Sequence, residues 1–144
     1  MKKRTPRQVR DPMAAITRRM PLADDQQRDL GIAYRIQLQA MLRGAGTEEA
    51  WSTLTCSINV AMVLAEKGIV ANAGHCIKRS QDALITCRER AIKLRKWGFT
   101  GEEAKAVMRA CAIHDEQLEL ATKAQVSSAL NTVYRRLTEE AWMN

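Results

Sequence analysis

The chain has 144 residues, of which 46% are apolar and only 4% aromatic, and its formal net charge is +7. A chain of this length fits one domain and can bury a sizeable core without disulfides or metal ions. The longest nearly apolar run, Ile58–Ala65, is interrupted by Asn59 and is far shorter than the ~20 residues that a membrane-spanning helix needs. This composition excludes a membrane span and favours packed helices over a β-sandwich.

The positive charge is concentrated at the start of the chain. The first twenty residues contain a single acid, Asp11, beside seven cations: Lys2, Lys3, Arg4, Arg7, Arg10, Arg18 and Arg19. Pro6 and Pro12 disfavour helical geometry, and the segment has few apolar side chains to bury. We therefore predict a flexible basic arm over residues 1–21 and a helical domain over 22–144. The arm indicates an anionic partner, either nucleic acid or an acidic protein surface.

Two helices are predicted first. The first begins at Asp24 or Asp25, which can cap its free amides, and ends at Arg43 and Gly44. The second covers 48–67, with Thr47 as its N-cap and Gly68 closing it, so that the next residue can fold back onto the helix. Because this second helix is apolar nearly all round, it should lie at the centre of the fold.

Three further helices complete the prediction. The third covers about 74–96 and ends at Trp97-Gly98, and the fourth follows a capping box formed by Thr100 and Glu103. A second possible capping box, starting at Thr122, separates a fifth helix over 123–140, although one continuous helix is the alternative. The residues expected to point inward on these helices include Ile85, Ile92, Met108 and Leu137. The chain is thus predicted to be all-α, a single domain of four to five antiparallel helices.

A second basic cluster lies near the end of the third helix. Its members are Arg88, Arg90, Lys93, Arg95, Lys96 and Trp97. Together with Lys78 and Arg79, and after subtracting Asp82 and Glu89, residues 78–97 carry a net charge of +5. This cluster is a candidate for binding nucleic acid or an acidic partner, and an ordinary solvated helix face is the competing interpretation. A helix-turn-helix motif is disfavoured because Glu102 and Glu103 begin the next helix and would repel phosphate.

The cysteine and histidine residues offer further candidate chemistry. Cys111 and His114 lie about one helical turn apart, with Asp115 adjacent, which would suit a nucleophile and its base. Zinc would draw ligands from these two residues and from His75, Cys76 and Cys87, but the spacing matches no common zinc pattern. The four cysteines, which also include Cys56, form no Cys-x-x-Cys pair and follow no hydrophobic leader, so free thiols in the cytoplasm of a bacterial host are expected. We predict no enzyme activity, no metal and no cofactor.

The opening MKKR at 1–4, GAGTEEAW at 44–51 and SINVAMVLAEKG at 57–68 resemble short proteins encoded by tailed phages and prophages of proteobacteria. These motifs are structural and bring no catalytic residue with them. The resemblance implies a host-takeover or counter-defence factor, including the anti-CRISPR type. We expect a non-catalytic protein that engages nucleic acid or a nucleic-acid-handling host complex, without a membrane and with a possible homodimer. The alternative is a structural or assembly accessory of a phage particle, with the arm docking on a neighbouring subunit.

Overall fold

The computed structural model describes the backbone of residues 24–143 and the side chains of residues 33–139. Its five helices are α1 (Asp24–Leu42), α2 (Glu48–Glu66), α3 (Gly74–Leu94), α4 (Gly101–Leu120) and α5 (Lys123–Met143). The described residues contain no strand, so the prediction of a single all-α domain is confirmed. The predicted basic arm lies outside the described residues. None of the described helices combines the length and the apolar character that crossing a membrane requires.

Helix α2 lies at the centre of the fold, as its sequence predicts. It contacts each of the other four helices. Leu54, Ile58 and Leu64 on this helix are completely buried. One face joins a core that α1, α3 and α4 share, while Val60 and Val63 on another face pack with α5 residues Ala129 and Val133. A helix in this position needs apolar side chains on several faces, which explains its composition.

The predicted ends of α2 are confirmed by their hydrogen bonds. The Thr47 side chain accepts a hydrogen bond from the amide of Ala50 at 3.0 Å. At the other end Gly68 has φ = 80°, and the amide of Ile69 donates to the carbonyl of Leu64 at 3.1 Å. This is the glycine-based closure in which the residue after the glycine folds back on the helix. Ile69 packs against the α2–α5 cluster.

Two capping boxes define α4 and α5. The Thr100 amide donates to Glu103 Oε1 at 3.0 Å, and the Glu103 amide donates to Thr100 Oγ1 at 3.3 Å. Thr122 and Gln125 form the same reciprocal pair at 2.9 and 3.2 Å. The backbone at Ala121 is extended (ψ = 147°). The tail is therefore two helices, and the single continuous helix is excluded.

The end of α3 differs from the prediction. The helix ends at Leu94, and Arg95 takes the left-handed conformation (φ = 54°), so the chain turns before the predicted end at Trp97-Gly98. The turn at Arg95 leads the chain to contacts three residues after the helix, where the Trp97 backbone pairs with Gly46 and its ring lies against that of Trp51.

Four apolar side chains expected in the core are exposed by about half or more. They are Ile85, Ile92, Met108 and Leu137. The core face of α3 contains Leu84, Cys87 and Ala91, so Ile85 and Ile92 lie one position, or ~100°, further round the helix. The expectation was wrong because an apolar stripe wider than the contact with neighbouring helices leaves its edge in solvent.

Candidate nucleic-acid interface

Trp97, a member of the predicted basic cluster, is part of the fold. Its ring lies 5.7 Å from that of Trp51, centroid to centroid, at an interplanar angle of 47°. The Trp51 Nε1 group donates to the carbonyl of Leu84 at 2.9 Å, which fixes the ring against α3. The pair joins the start of α2 to the segment after α3. Trp97 is half-buried, so only its outer part is available to a ligand.

Arg90 is also engaged within the protein. Its guanidinium donates to both carboxylate oxygens of Glu103, at 2.9 and 2.5 Å, and to the carbonyl of Gly98 at 2.8 Å. This hydrogen bonding raises the pKa of Arg90 and lowers the pKa of Glu103. The pair holds the turn between α3 and α4 in place. A side chain with its donors committed in this way has little left to offer a phosphate.

The remaining four members of the cluster lie on the surface. They are Arg88, Lys93, Arg95 and Lys96, and all four are exposed. None of them forms an ion pair with another described residue. The Arg88 guanidinium carbon lies 5.9 Å from the centre of the Trp51 ring, a cation–π contact. We call these four residues the α3-end cluster.

The turn between α1 and α2 lies beside the α3-end cluster. Gly46 pairs with Trp97, and a Cβ atom added to this glycine would lie 2.5 Å from the Trp97 carbonyl oxygen. Only a glycine permits this approach, which brings the exposed Arg43, three residues earlier, to the same end of the molecule. Glu48 and Glu49 begin α2 just after the turn and are exposed. This end of the described body therefore carries exposed charges of both signs.

The arm cations proposed from the sequence have no structural description. Lys2, Lys3, Arg4, Arg7, Arg10, Arg18 and Arg19 all lie outside the described residues. Their spatial relation to the α3-end cluster stays a prediction.

Cys111 and His114 are both buried in the core. Burial raises the pKa of the Cys111 thiol to about 12, so the thiol stays protonated at neutral pH. His114 is buried as well, which lowers its pKa, and its Nδ1 lies 3.0 Å from Gln117 Oε1. Tyr34 lies beside both, since its hydroxyl donates to the Cys111 carbonyl and its ring contacts the imidazole. These groups pack the core where α1, α2 and α4 meet.

The candidate zinc ligands do not come together in the structure. His75 is exposed and Cys76 half-buried at the start of α3, whereas the Cys87 thiol donates to the Gly98 carbonyl at 3.3 Å. Between residues 33 and 139 no three side chains of the Cys, His, Asp or Glu types come together in a way that could hold a metal ion. The described cysteines are all free thiols.

Several structural features have little or no signal in the sequence. Gln117 is completely buried and donates from Nε2 to the carbonyl of Ala61 at 2.9 Å. In the sequence, the only sign of this contact is a glutamine at a position of α4 where an apolar core residue would be expected. Two largely apolar grooves of about 490 Å³ and about 460 Å³ lie beside α5, and Leu137 lines both. A smaller groove between α3 and α4 is lined mainly by charged side chains.

Comparison with known proteins gives no relative. No protein-family model, no curated protein and no solved structure matches the chain.

Proposed function

We propose that this protein is a non-catalytic, phage-type binding protein that engages nucleic acid or a nucleic-acid-handling host complex. In its most specific form it is an inhibitor of host immunity of the anti-CRISPR type. The observation that carries the proposal is the separation of charge. The first twenty residues carry a net charge of +6 out of the total of +7. A short segment with so many cations is the footprint of binding to phosphates or to an acidic surface.

The α3-end cluster supports the proposal from the helical body. Its four cations are exposed and have no acidic partner among the described residues. Their charge is therefore available to an external anion. Each phosphate that they or the arm neutralise releases condensed counterions, so affinity should fall as salt is added. The nearby Arg43 adds one more exposed cation to this end of the molecule.

The protonated Cys111 thiol and the buried His114 support the non-catalytic part of the proposal. Nucleophilic catalysis needs a thiolate or a base within hydrogen-bond reach, in a place that a substrate can enter. The Cys111 thiol stays protonated at neutral pH because burial raises its pKa, and the residue is only 5% exposed. A Cys111→Ser variant should therefore retain the activity of the wild type, and loss of function without loss of folding would contradict the proposal.

The test compares the full chain with a variant that lacks residues 1–20. Fluorescence anisotropy with a labelled duplex at several salt concentrations gives the affinity and its salt dependence. The full chain should bind with an affinity that falls steeply with salt, with a logarithmic slope of about −0.9 for each phosphate neutralised. The deletion should abolish binding or flatten this slope. Binding that survives the deletion unchanged would refute the assigned role of the arm.

A second comparison tests the α3-end cluster. The variant Lys93→Gln with Lys96→Gln removes two exposed cations. The matched control is Lys78→Gln with Arg135→Gln, which removes two cations that are both paired with acids. The first double variant should weaken duplex binding and reduce the slope by about one for each phosphate that is no longer neutralised. Equal effects of the two double variants would show that only net charge matters and would remove the cluster from the proposed interface.

The competing function is that of a structural or assembly accessory in which the arm docks on a neighbouring subunit. The exposed Tyr134 and Leu137 on α5 favour it, because they give the body an apolar surface beside two grooves. Affinity capture from a proteobacterial lysate, with and without nuclease, separates the two functions. Recovery that vanishes with nuclease supports nucleic-acid binding. A nucleic-acid-handling host protein retained after nuclease supports the host-complex form of the proposal, whereas a retained structural subunit supports the accessory function.

A further inference from the structure

The groove between α3 and α4 has a volume of about 200 Å³. It is lined by Cys76, Arg79, Glu102, Lys105, Ala106 and Arg109. We infer that this groove is a phosphate-binding site that holds one backbone phosphate of the nucleic acid. The inference rests on the proposed function for the source of the phosphate, whereas the affinity of the groove for a phosphate group follows from its own side chains. The groove lies apart from the binding residues predicted from the sequence.

The charges of the groove are not balanced internally. Three of its side chains are cations and one is an acid, and that acid, Glu102, lies 3.7 Å from the ammonium group of Lys105. Arg79 and Arg109 are exposed and form no ion pair with another described residue. The groove therefore presents two uncompensated guanidinium groups, one from each helix. Arginine is suited to this role because its planar set of donors matches phosphate oxygens in a bidentate geometry.

The two helices hold this geometry through their packing. Ile77 and Leu84 of α3 lie in the same buried cluster as Val107 and Ala110 of α4. The backbones that carry Arg79 and Arg109 are thus fixed, and only the side chains need to order on binding. Such preorganisation lowers the entropic cost of capturing an anion.

The size of the groove limits which ligands can fit it. Pockets for drug-sized molecules usually have ~300–1,000 Å³ and predominantly apolar walls. This groove is smaller, and its lining is mostly charged. It therefore suits a compact anion such as a phosphate group better than an extended organic molecule. Along α3, Arg79 lies fourteen residues before Lys93, which puts it ~21 Å from this member of the α3-end cluster, on nearly the same side of the helix. A polyanion that contacts Lys93 can reach the groove.

Cys76 supplies a built-in reporter, because its thiol belongs to the lining of the groove. Cys56 is also half-buried but lines one of the apolar grooves beside α5 and not the α3–α4 groove, so it serves as an internal reference in the same molecule. The full chain is treated with iodoacetamide, with or without a saturating duplex oligonucleotide, and alkylation of each cysteine is measured by peptide mass spectrometry. Bound duplex should slow alkylation of Cys76 several-fold and leave Cys56 unchanged.

The decisive variant is Arg79→Gln with Arg109→Gln, compared with Lys78→Gln with Arg135→Gln as a control of equal charge. Both pairs lie on the surface, and circular dichroism verifies that folding is retained. The first variant should lose the protection of Cys76 and reduce the salt slope of duplex binding by about 0.9, the value for one phosphate. The control should keep the protection. Retention of protection and slope in the Arg79/Arg109 variant would overturn the inference and leave the proposed function standing.

A second arm of the experiment uses free pyrophosphate in place of the duplex. If the protein binds no duplex at all, the nucleic-acid form of the proposed function fails and a backbone phosphate is not the ligand. Protection of Cys76 by pyrophosphate in the wild type, lost in the Arg79/Arg109 variant, would then still support a phosphate site for a free phosphate compound. Absence of protection by both probes would refute the site itself.

Discussion

Gln117 offers the sharpest test of how the core is held together. Its Nε2 group donates to the carbonyl of Ala61 at 2.9 Å and to that of Ile69 at 3.4 Å. Because Nε2 faces two acceptors, Oε1 is the atom that faces His114, at 3.0 Å from Nδ1. The Nδ1 atom must then carry the proton and donate. One side chain thereby connects α4 to α2 and to the segment after it.

The cost of removing this connection follows from burial. A Gln117→Met substitution keeps the length of the side chain but removes the partners of the buried His114 N–H and of the partly buried Ile69 carbonyl. An unsatisfied buried group costs about 1–3 kcal/mol. We expect the free energy of unfolding to fall by about 2–4 kcal/mol, a large share of the ~5–15 kcal/mol that such a domain has. Adding His114→Leu should recover part of the loss, because it removes the orphaned donor.

Urea unfolding followed by circular dichroism measures these values, provided that the slope m is unchanged between variants. Glu116→Gln, at an exposed position beside Gln117 on α4, is the matched control and should stay within about 0.5 kcal/mol of the wild type. A loss of less than about 0.5 kcal/mol in Gln117→Met would refute the reasoning. So would strict additivity with His114→Leu, since contacting residues that share a hydrogen bond should couple.

Three other predictions concern pH, capping and backbone approach. Because the pKa of His114 is lowered in the folded state, the unfolded state binds more protons at acidic pH. The free energy of unfolding should therefore be highest above pH ~6.5, the pKa of an unperturbed histidine, and should fall as the pH drops below that value. Unfolding measured from pH 7.5 to 5 in a His75→Gln background should show this fall, and His114→Leu should lose it. Thr100→Ala should cost about 1 kcal/mol of stability, while Thr100→Ser keeps the cap and costs less. In Gly46→Ala the new Cβ would lie 2.5 Å from a backbone carbonyl oxygen, and such overpacking costs about 1–3 kcal/mol. Gly74→Ala meets no atom within 4 Å and should be near neutral; equal losses in the two glycine variants would contradict the steric account.

The helix boundaries were predictable because the signals that set them are local. Thr47, Thr100 and Thr122 each cap a helix through a bond to a residue three positions later. Gly68 ends α2 through hydrogen bonds that reach only three to five residues back. Signals of this range depend little on the tertiary structure, so the chain alone reveals them.

The end of α3 and the exposed apolar edge were not predictable in the same way. The position at which α3 stops depends on Trp97 meeting Trp51 and Gly46, which lie more than forty residues away in the chain. Ile85 repeats with Ile92 at helical spacing, but periodicity indicates only that a stripe exists. The width of the stripe that is buried depends on which helices pack against it, and this is a property of the assembled fold.

Contacts that form only in the assembled fold also decide which cations can bind a ligand. Arg79 and Arg90 lie on one helix, and their sequence surroundings give no reason to separate them. Arg90 meets Glu103 from the next helix and the carbonyl of Gly98, whereas Arg79 faces the α3–α4 groove without an acidic partner of its own. An Arg90→Gln variant would therefore weaken binding by loosening the turn between α3 and α4, even if Arg90 never touches a phosphate. Binding experiments on this surface should leave Arg90 intact, because only substitutions at cations without a structural partner report on the ligand rather than on the fold.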